Sequence, residues 1–141
     1  MRTVTTVPPS FPESAANRLL DVADKERWQV MCGDAEHWRV GMYSPVDASP
    51  ADIHELEWHD CPELFLLIQG RLTLLVFDGG AVKELALEPL RPVLITAPHN
   101  GFCPDGPHTG LAVVVERDRF RTIYRTPEEW AAAAPPTSSR P

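Results

Sequence analysis

The feature that most constrains this chain is a succession of short apolar runs, each four to eight residues long and each closed by glycine or proline. WQVMC and HWRVGMYSP flank a GDAE turn. ELFLLIQ ends at Gly70, RLTLLVF ends at Asp78-Gly79-Gly80, and AVKELALE, RPVLITAP and LAVVVER follow. Runs of that length suit strands but not helices, and Gly- or Pro-bearing turns between them close hairpins. Regular strand spacing without intervening helical segments predicts an all-β sandwich or barrel rather than a parallel sheet with crossover helices. With 141 residues there is material for one hydrophobic core and not two.

Both ends read differently. Residues 1–12 are polar and proline-bearing, and are expected to be a flexible arm that orders only against a partner or the body. Ser14 to Lys25, with Leu19, Leu20 and Val22, predicts a short amphipathic helix. Near the C-terminus Thr126 stands as an N-cap, Pro127 at the first helical position and Glu129 three residues after the cap, which predicts a second short helix. The domain is expected over 13–134, with 135–141 a disordered tail.

Charge and composition exclude several function classes. The net charge is −7, with no lysine- or arginine-rich stripe, so neither nucleic acid nor an anionic membrane is expected as a partner. No apolar run reaches the length of a membrane span, and the first residues lack the basic and apolar parts of a secretory leader. Cys32, Cys61 and Cys103 fit neither a disulfide frame nor a zinc clip, which makes a reduced, cytoplasmic setting the expectation.

The chemistry-bearing stretch is Glu57-Trp58-His59-Asp60-Cys61-Pro62-Glu63, followed by LFLLIQ and Gly70. In an extended strand Glu57 and His59 share a face, and Glu63 opens the next run after a proline-bearing connection. An imidazole and a carboxylate directed into one barrel interior are half of a first-row metal site. Gly70 marks a bend or a close approach of two backbones.

His59-x3-Glu63-x6-Gly70 resembles the second half of the first cupin motif, and RPVLITAP-His99 resembles the strand, Pro and His of the second. The resemblance covers about residues 55–117 and implies a single-domain cupin barrel, a jelly roll also described as a double-stranded β-helix, with ligands pointing into its mouth. It also implies a homodimer paired through N-terminal strands. The row APHNGFCPDGPHTGLAVVVERDRF is similar to the C-terminal motif of 3-hydroxyanthranilate 3,4-dioxygenases. On that resemblance His59, Glu63 and His99 are the ligands of a divalent metal ion, Fe(II) first and Zn, Mn or Ni as alternatives. Glu116 matches the family's acid–base carboxylate, although Arg117 or Arg119 would neutralise it on a purely structural reading.

Two departures from that family bear on the substrate. Glu55 and Cys103 stand where it has the two arginines that grip a substrate carboxylate. The expectation is therefore a different substrate, neutral or cationic, donating hydrogen bonds to Glu55 or Glu57. Glu57 stands where cupins usually have their first His, and is either a fourth ligand or a partner orienting His59. Cys103 is an alternative ligand to His99, or a small buried apolar side chain. His108 is expected in a loop, His54 in a structural role and His37 in a solvated turn.

Three functions follow for a small-molecule partner. The first is a metal-dependent cupin enzyme of the Fe(II) oxygenase kind. The second is a metal-independent isomerase of a keto-sugar nucleotide, with a His moving the proton. The third is a binding or accessory module without turnover.

Overall fold

Alternation along β10, Leu111–Arg117, shows how the chain becomes a barrel: Ala112, Val114 and Glu116 are buried, and the residues between them are half-buried. A strand that hides every second side chain lies in a sheet with one face on an interior. In this computed structural model, which describes residues 1–136, that sheet is five-stranded and faces a six-stranded one.

The strands are β1 Arg2–Thr6, β2 Trp28–Asp34, β3 Trp38–Tyr43, β4 Leu56–His59, β5 Glu63–Gln69 and β6 Thr73–Asp78. They continue as β7 Ala81–Ala86, β8 Val93–Ile95, β9 His99–Phe102, β10, and β11 Phe120–Arg125. One sheet runs β1-β11-β4-β9-β6-β7 and the other β2-β3-β10-β5-β8, and all the strand pairs are antiparallel. The hairpins expected around GDAE and Asp78-Gly79-Gly80 are β2–β3 and β6–β7.

Two apolar clusters use the two faces of the six-stranded sheet. Between the sheets lie Tyr43, Phe65, Leu67, Leu72, Leu74, Ile95, Ala112 and Val114. On the outer face Ile53, Leu56, Trp58, Leu75 and Phe102 pack against Trp130 of helix α1, Pro127–Ala132. Leu74 and Leu75 are neighbours on β6 and serve opposite clusters, as the pleat requires. The same alternation on β4 turns Leu56 and Trp58 toward α1 and leaves Glu57 and His59 for the barrel interior. Covering one face of β4 therefore aims the other.

The predicted C-terminal helix forms where its capping signals put it: Thr126 Oγ1 accepts from the Glu129 N–H and the Glu129 carboxylate from the Thr126 N–H. The helix predicted over Ser14–Lys25 is absent. Asn17 and Lys25 take positive φ (62° and 60°), Leu19 is 98% exposed, and the Ala23 backbone is held both ways by the Gln29 side-chain amide. Three apolar residues with no face to cover do not hold a helix against those alternatives. Residues 2–6 of the expected arm are ordered against the body as β1, paired with β11 from Arg2↔Tyr124 to Thr6↔Phe120. Of the tail expected over 135–141, residues 137–141 lie outside the described residues.

Gly70 is needed for both reasons its position suggests. Its φ is +66°, and a Cβ there would lie 1.9 Å from the Thr109 carbonyl oxygen.

Trp130 is 3% exposed, and its indole N–H donates to the Leu56 carbonyl at 3.1 Å. Trp130→Ala should cost about 3–5 kcal/mol in urea unfolding, the usual range for removing a buried Trp. A loss below about 1 kcal/mol would show that α1 does not brace β4.

Candidate metal centre

Four strands from both sheets bring their polar side chains to one end of the interior, a cavity of about 240 Å³. β4 supplies Glu57 and His59, and β9 supplies His99, which pairs directly with Glu57. From the facing sheet β5 supplies Glu63 and β10 supplies Glu116. These two are cross-strand neighbours, one position beyond the Leu64↔Val115 pair.

Glu63 lies between the imidazoles. Its Oε1 is 2.9 Å from His59 Nε2 and its Oε2 is 2.7 Å from His99 Nε2. Glu57 Oε1 lies farther off, at 3.8 Å from His59 Nε2 and 4.0 Å from His99 Nε2. Ligating atoms of Glu57, His59 and His99 all fall within 4.8 Å of one another, and so do those of His59, Glu63 and Glu116. The four predicted ligands and the predicted acid–base carboxylate are thus in one place. Glu57 is a full member of the cluster rather than a residue behind it.

Tautomers follow from the outer contacts. His99 Nδ1 is 2.9 Å from the Ala97 carbonyl, which can only accept, so Nδ1 carries the hydrogen and Nε2 of the neutral ring is a bare lone pair. That lone pair points at a carboxylate oxygen. Neither His99 Nε2 nor Glu63 Oε2 has a hydrogen bond among the described residues, although both are buried. Two acceptors at 2.7 Å require a positive charge between them, either a proton or a cation. His59 Nδ1 meets the Thr122 hydroxyl at 2.7 Å, a partner able to give or take the hydrogen. Phe120 at 4.9 Å from His59 and Phe65 at 5.5 Å from His99, between ring centres, wall the imidazoles from solvent.

The electrostatics match that geometry. Burial disfavours charge on His59, but Glu57 and Glu63 overcome it and push its pKa up to about 11. His99 is raised against burial by Glu63. Burial likewise opposes charge on Glu63, and the His99 charge holds it well below the usual carboxylate range. Glu57 is lowered against burial by its contact with His59. Glu116 goes the other way: burial, then the neighbouring Glu63, push it up to about 9. Side-by-side carboxylates share one proton, and it resides on Glu116.

The partner of Glu116 was not found in the sequence. Arg39 Nη2 and Nε lie 2.8 and 2.9 Å from Glu116 Oε1, whereas Arg117 pairs with Asp60 and Arg119 with Glu36. Arg39 stands 77 residues away in the chain, and only the β3–β10 register, which pairs Arg39 with Glu116, brings them together. Its third contact, to the Ser10 carbonyl at 2.9 Å, ties the N-terminal segment to the site. Arg27, Trp28 and Tyr43 also line the cavity and were likewise missed.

Two other expectations, for Cys103 and Glu55, are corrected. Cys103 joins neither cluster: it is fully buried, and its sulfur accepts from the Gly110 N–H at 3.3 Å, a contact of a small core side chain. Glu55 lies outside the cavity lining and pairs with Arg2 at 3.1 Å on the surface, so it does not meet a ligand there. It precedes β4, where strand alternation no longer sets its direction. His108 sits in the loop after β9, bonded to the Ser44 carbonyl, and His54 is exposed. His37 lies in the β2–β3 turn.

No family model matches the chain, and no curated protein does. Solved structures do. Hydroxypropylphosphonic acid epoxidase from S. wedmorenis superposes with a TM-score of 0.53 at 12% identity, over 81% of this chain and 62% of the epoxidase chain. The Fe(II) form of HppE also gives 0.53 at 12%, over 81% of this chain and 64% of the other. A cupin 2 domain-containing protein from Halorhodospira halophila gives 0.50 at 15%, over 84% of this chain and 78% of that one. This chain therefore spans under two thirds of the epoxidase's length. The fold is the single-domain cupin barrel, with a group of His and Glu side chains able to hold a metal ion. No helix among the described residues is long and apolar enough to cross a membrane.

Without metal, the protons on Glu116 and His59 should make stability fall as pH rises. The Glu116 contribution is full below about 4.5 and is lost by about 9; that of His59 is full below 6.5 and is lost through about 11. Glu57 and Glu63 act oppositely, being lost only in acid. Urea unfolding of metal-free protein should therefore give decreasing stability from pH 6.5 to 9, less steeply in Glu116→Gln. A stability that is flat or rising across that interval would contradict this charge assignment.

Proposed function

We propose that this protein is a metal-dependent cupin enzyme acting on a small organic molecule, with an oxygenase activity of the Fe(II) kind. The observation that carries the reading is the approach of His99 Nε2 to Glu63 Oε2 with no hydrogen bond to either. His59, His99 and Glu63 would hold the ion and Glu57 would complete its charge, a donor set of two imidazoles and carboxylates suited to Fe(II) and to Mn, Ni or Zn. The ion would supply redox chemistry and open coordination positions.

The chain's own residues do the rest. Arg39 fixes Glu116 through one carboxylate oxygen and leaves the other, buried Oε2 to carry a proton. A carboxyl with its pKa near 9 is an acid at neutral pH, able to deliver a proton to a molecule in the cavity and recover it. Phe65 and Phe120 pack edge-on against the imidazoles and cover the reacting end. The resemblance to 3-hydroxyanthranilate dioxygenases over the C-terminal motif supports the same roles for His99 and Glu116. The fold of an Fe(II) protein, HppE, supports the choice of metal.

Metal would replace protons here, so uptake should release protons and tighten with rising pH. Elemental analysis after anaerobic loading should find one ion per chain, lost in His59→Ala, His99→Ala and Glu63→Gln. Those variants should also lose the stability that a saturating ion gives the wild type, on the order of 3–4 kcal/mol. His37→Ala and His54→Ala should retain both. Protein that stays metal-free when refolded with excess Fe, Mn, Zn, Ni or Cu would end this reading.

A further inference from the structure

The cavity wall holds two arginines in unlike states. The donors of Arg39 are taken, by Glu116 Oε1 and by the Ser10 carbonyl. Arg27, just before β2, has no carboxylate within ion-pair distance among the described residues. Its Nη2 donates at 3.0 Å to a neutral acceptor, the Asn100 side-chain carbonyl. That oxygen is already occupied by the Gly101 N–H at 2.8 Å, and the Tyr43 hydroxyl lies 3.5 Å from it. A guanidinium has five donors and cannot lose its charge, and a carbonyl oxygen shared among three donors does not neutralise it.

Arg27 is thus the arginine of the cavity wall that still has donors to offer a ligand. Next to it Trp28 offers a flat apolar surface. Its indole lies across Gly41, where a Cβ would come within 2.1 Å of the ring, and 36% of the residue remains exposed.

We propose that Arg27, aided by the Tyr43 hydroxyl, is an anion subsite at the mouth of the cavity, and that the substrate is a small organic oxyanion whose apolar body lies against Trp28. This rests on the cavity being the substrate pocket of the metal-dependent enzyme, and it reverses the neutral or cationic ligand expected from Glu55. The guanidinium takes the oxyanion by charge-assisted, paired hydrogen bonds, and the substrate's other end reaches toward the His–Glu cluster.

The test is calorimetric titration of the full chain, metal-free and metal-loaded, with benzoate, phenylphosphonate and its neutral counterpart benzamide. At least one anion should bind about tenfold or more tightly than benzamide in both forms, as a charge-assisted pair predicts. Arg27→Gln should abolish that preference and Arg27→Lys should keep part of it, with unfolding midpoints unchanged. No binding of either anion, equal affinity for benzamide, or a preference that survives Arg27→Gln would each overturn the subsite. Metal content is measured on the same samples. Protein that takes up no metal on loading yet selects the anion through Arg27 refutes the metal centre alone, and metal-loaded protein that does not select it refutes the subsite alone.

Discussion

The rest of the site depends on one close approach, the 2.7 Å between His99 Nε2 and Glu63 Oε2. The Ala97 carbonyl fixes the hydrogen of His99 on Nδ1, so the inward nitrogen is an acceptor facing an acceptor. A buried pair of that kind exists only with positive charge between its members. Without metal, the charge is a proton, and the opposite shifts of His99 and Glu63 follow from it. On the proposed reading His59, His99, Glu57 and Glu63 would be the donors of the metal.

Each supporting element acts by restraining that pair. Helix α1 covers Leu56 and Trp58 on the outer face of β4, which leaves Glu57 and His59 no direction but inward. Glu63 and Glu116 are cross-strand neighbours, so they share a proton, and Arg39 decides where the second carboxylate sits. Gly70 lets the chain pass against Thr109 at the end of β5, immediately after the strand that carries Glu63. The N-terminal segment contributes twice, through the Ser10 carbonyl on Arg39 and through Val4 and Thr6 in the cavity wall.

What could be read in the sequence was local. Strand alternation placed Glu57 with His59, the Pro-His pair located His99, and the Thr126–Glu129 capping box located α1. What could not be read was set by pairing between distant strands. Arg39 reaches Glu116 through the β3–β10 register, and nothing near either residue announces it. β1 is a polar run of β-branched residues that becomes a strand because β11 offers it an edge. Glu55 and Cys103 were assigned by spacing against a family motif. The fold sends one to the surface and the other into the core, and motif spacing carries no information about either.

A crystal of the protein grown with Mn(II) or Co(II) is the most direct test of whether a cation sits between these side chains. An anomalous-scattering peak is expected in the cavity, in contact with His59 Nε2, His99 Nε2 and the Glu63 carboxylate. A cavity without a peak at saturating metal, with a hydrogen on His99 Nε2 bonded to Glu63, would contradict a cation site there.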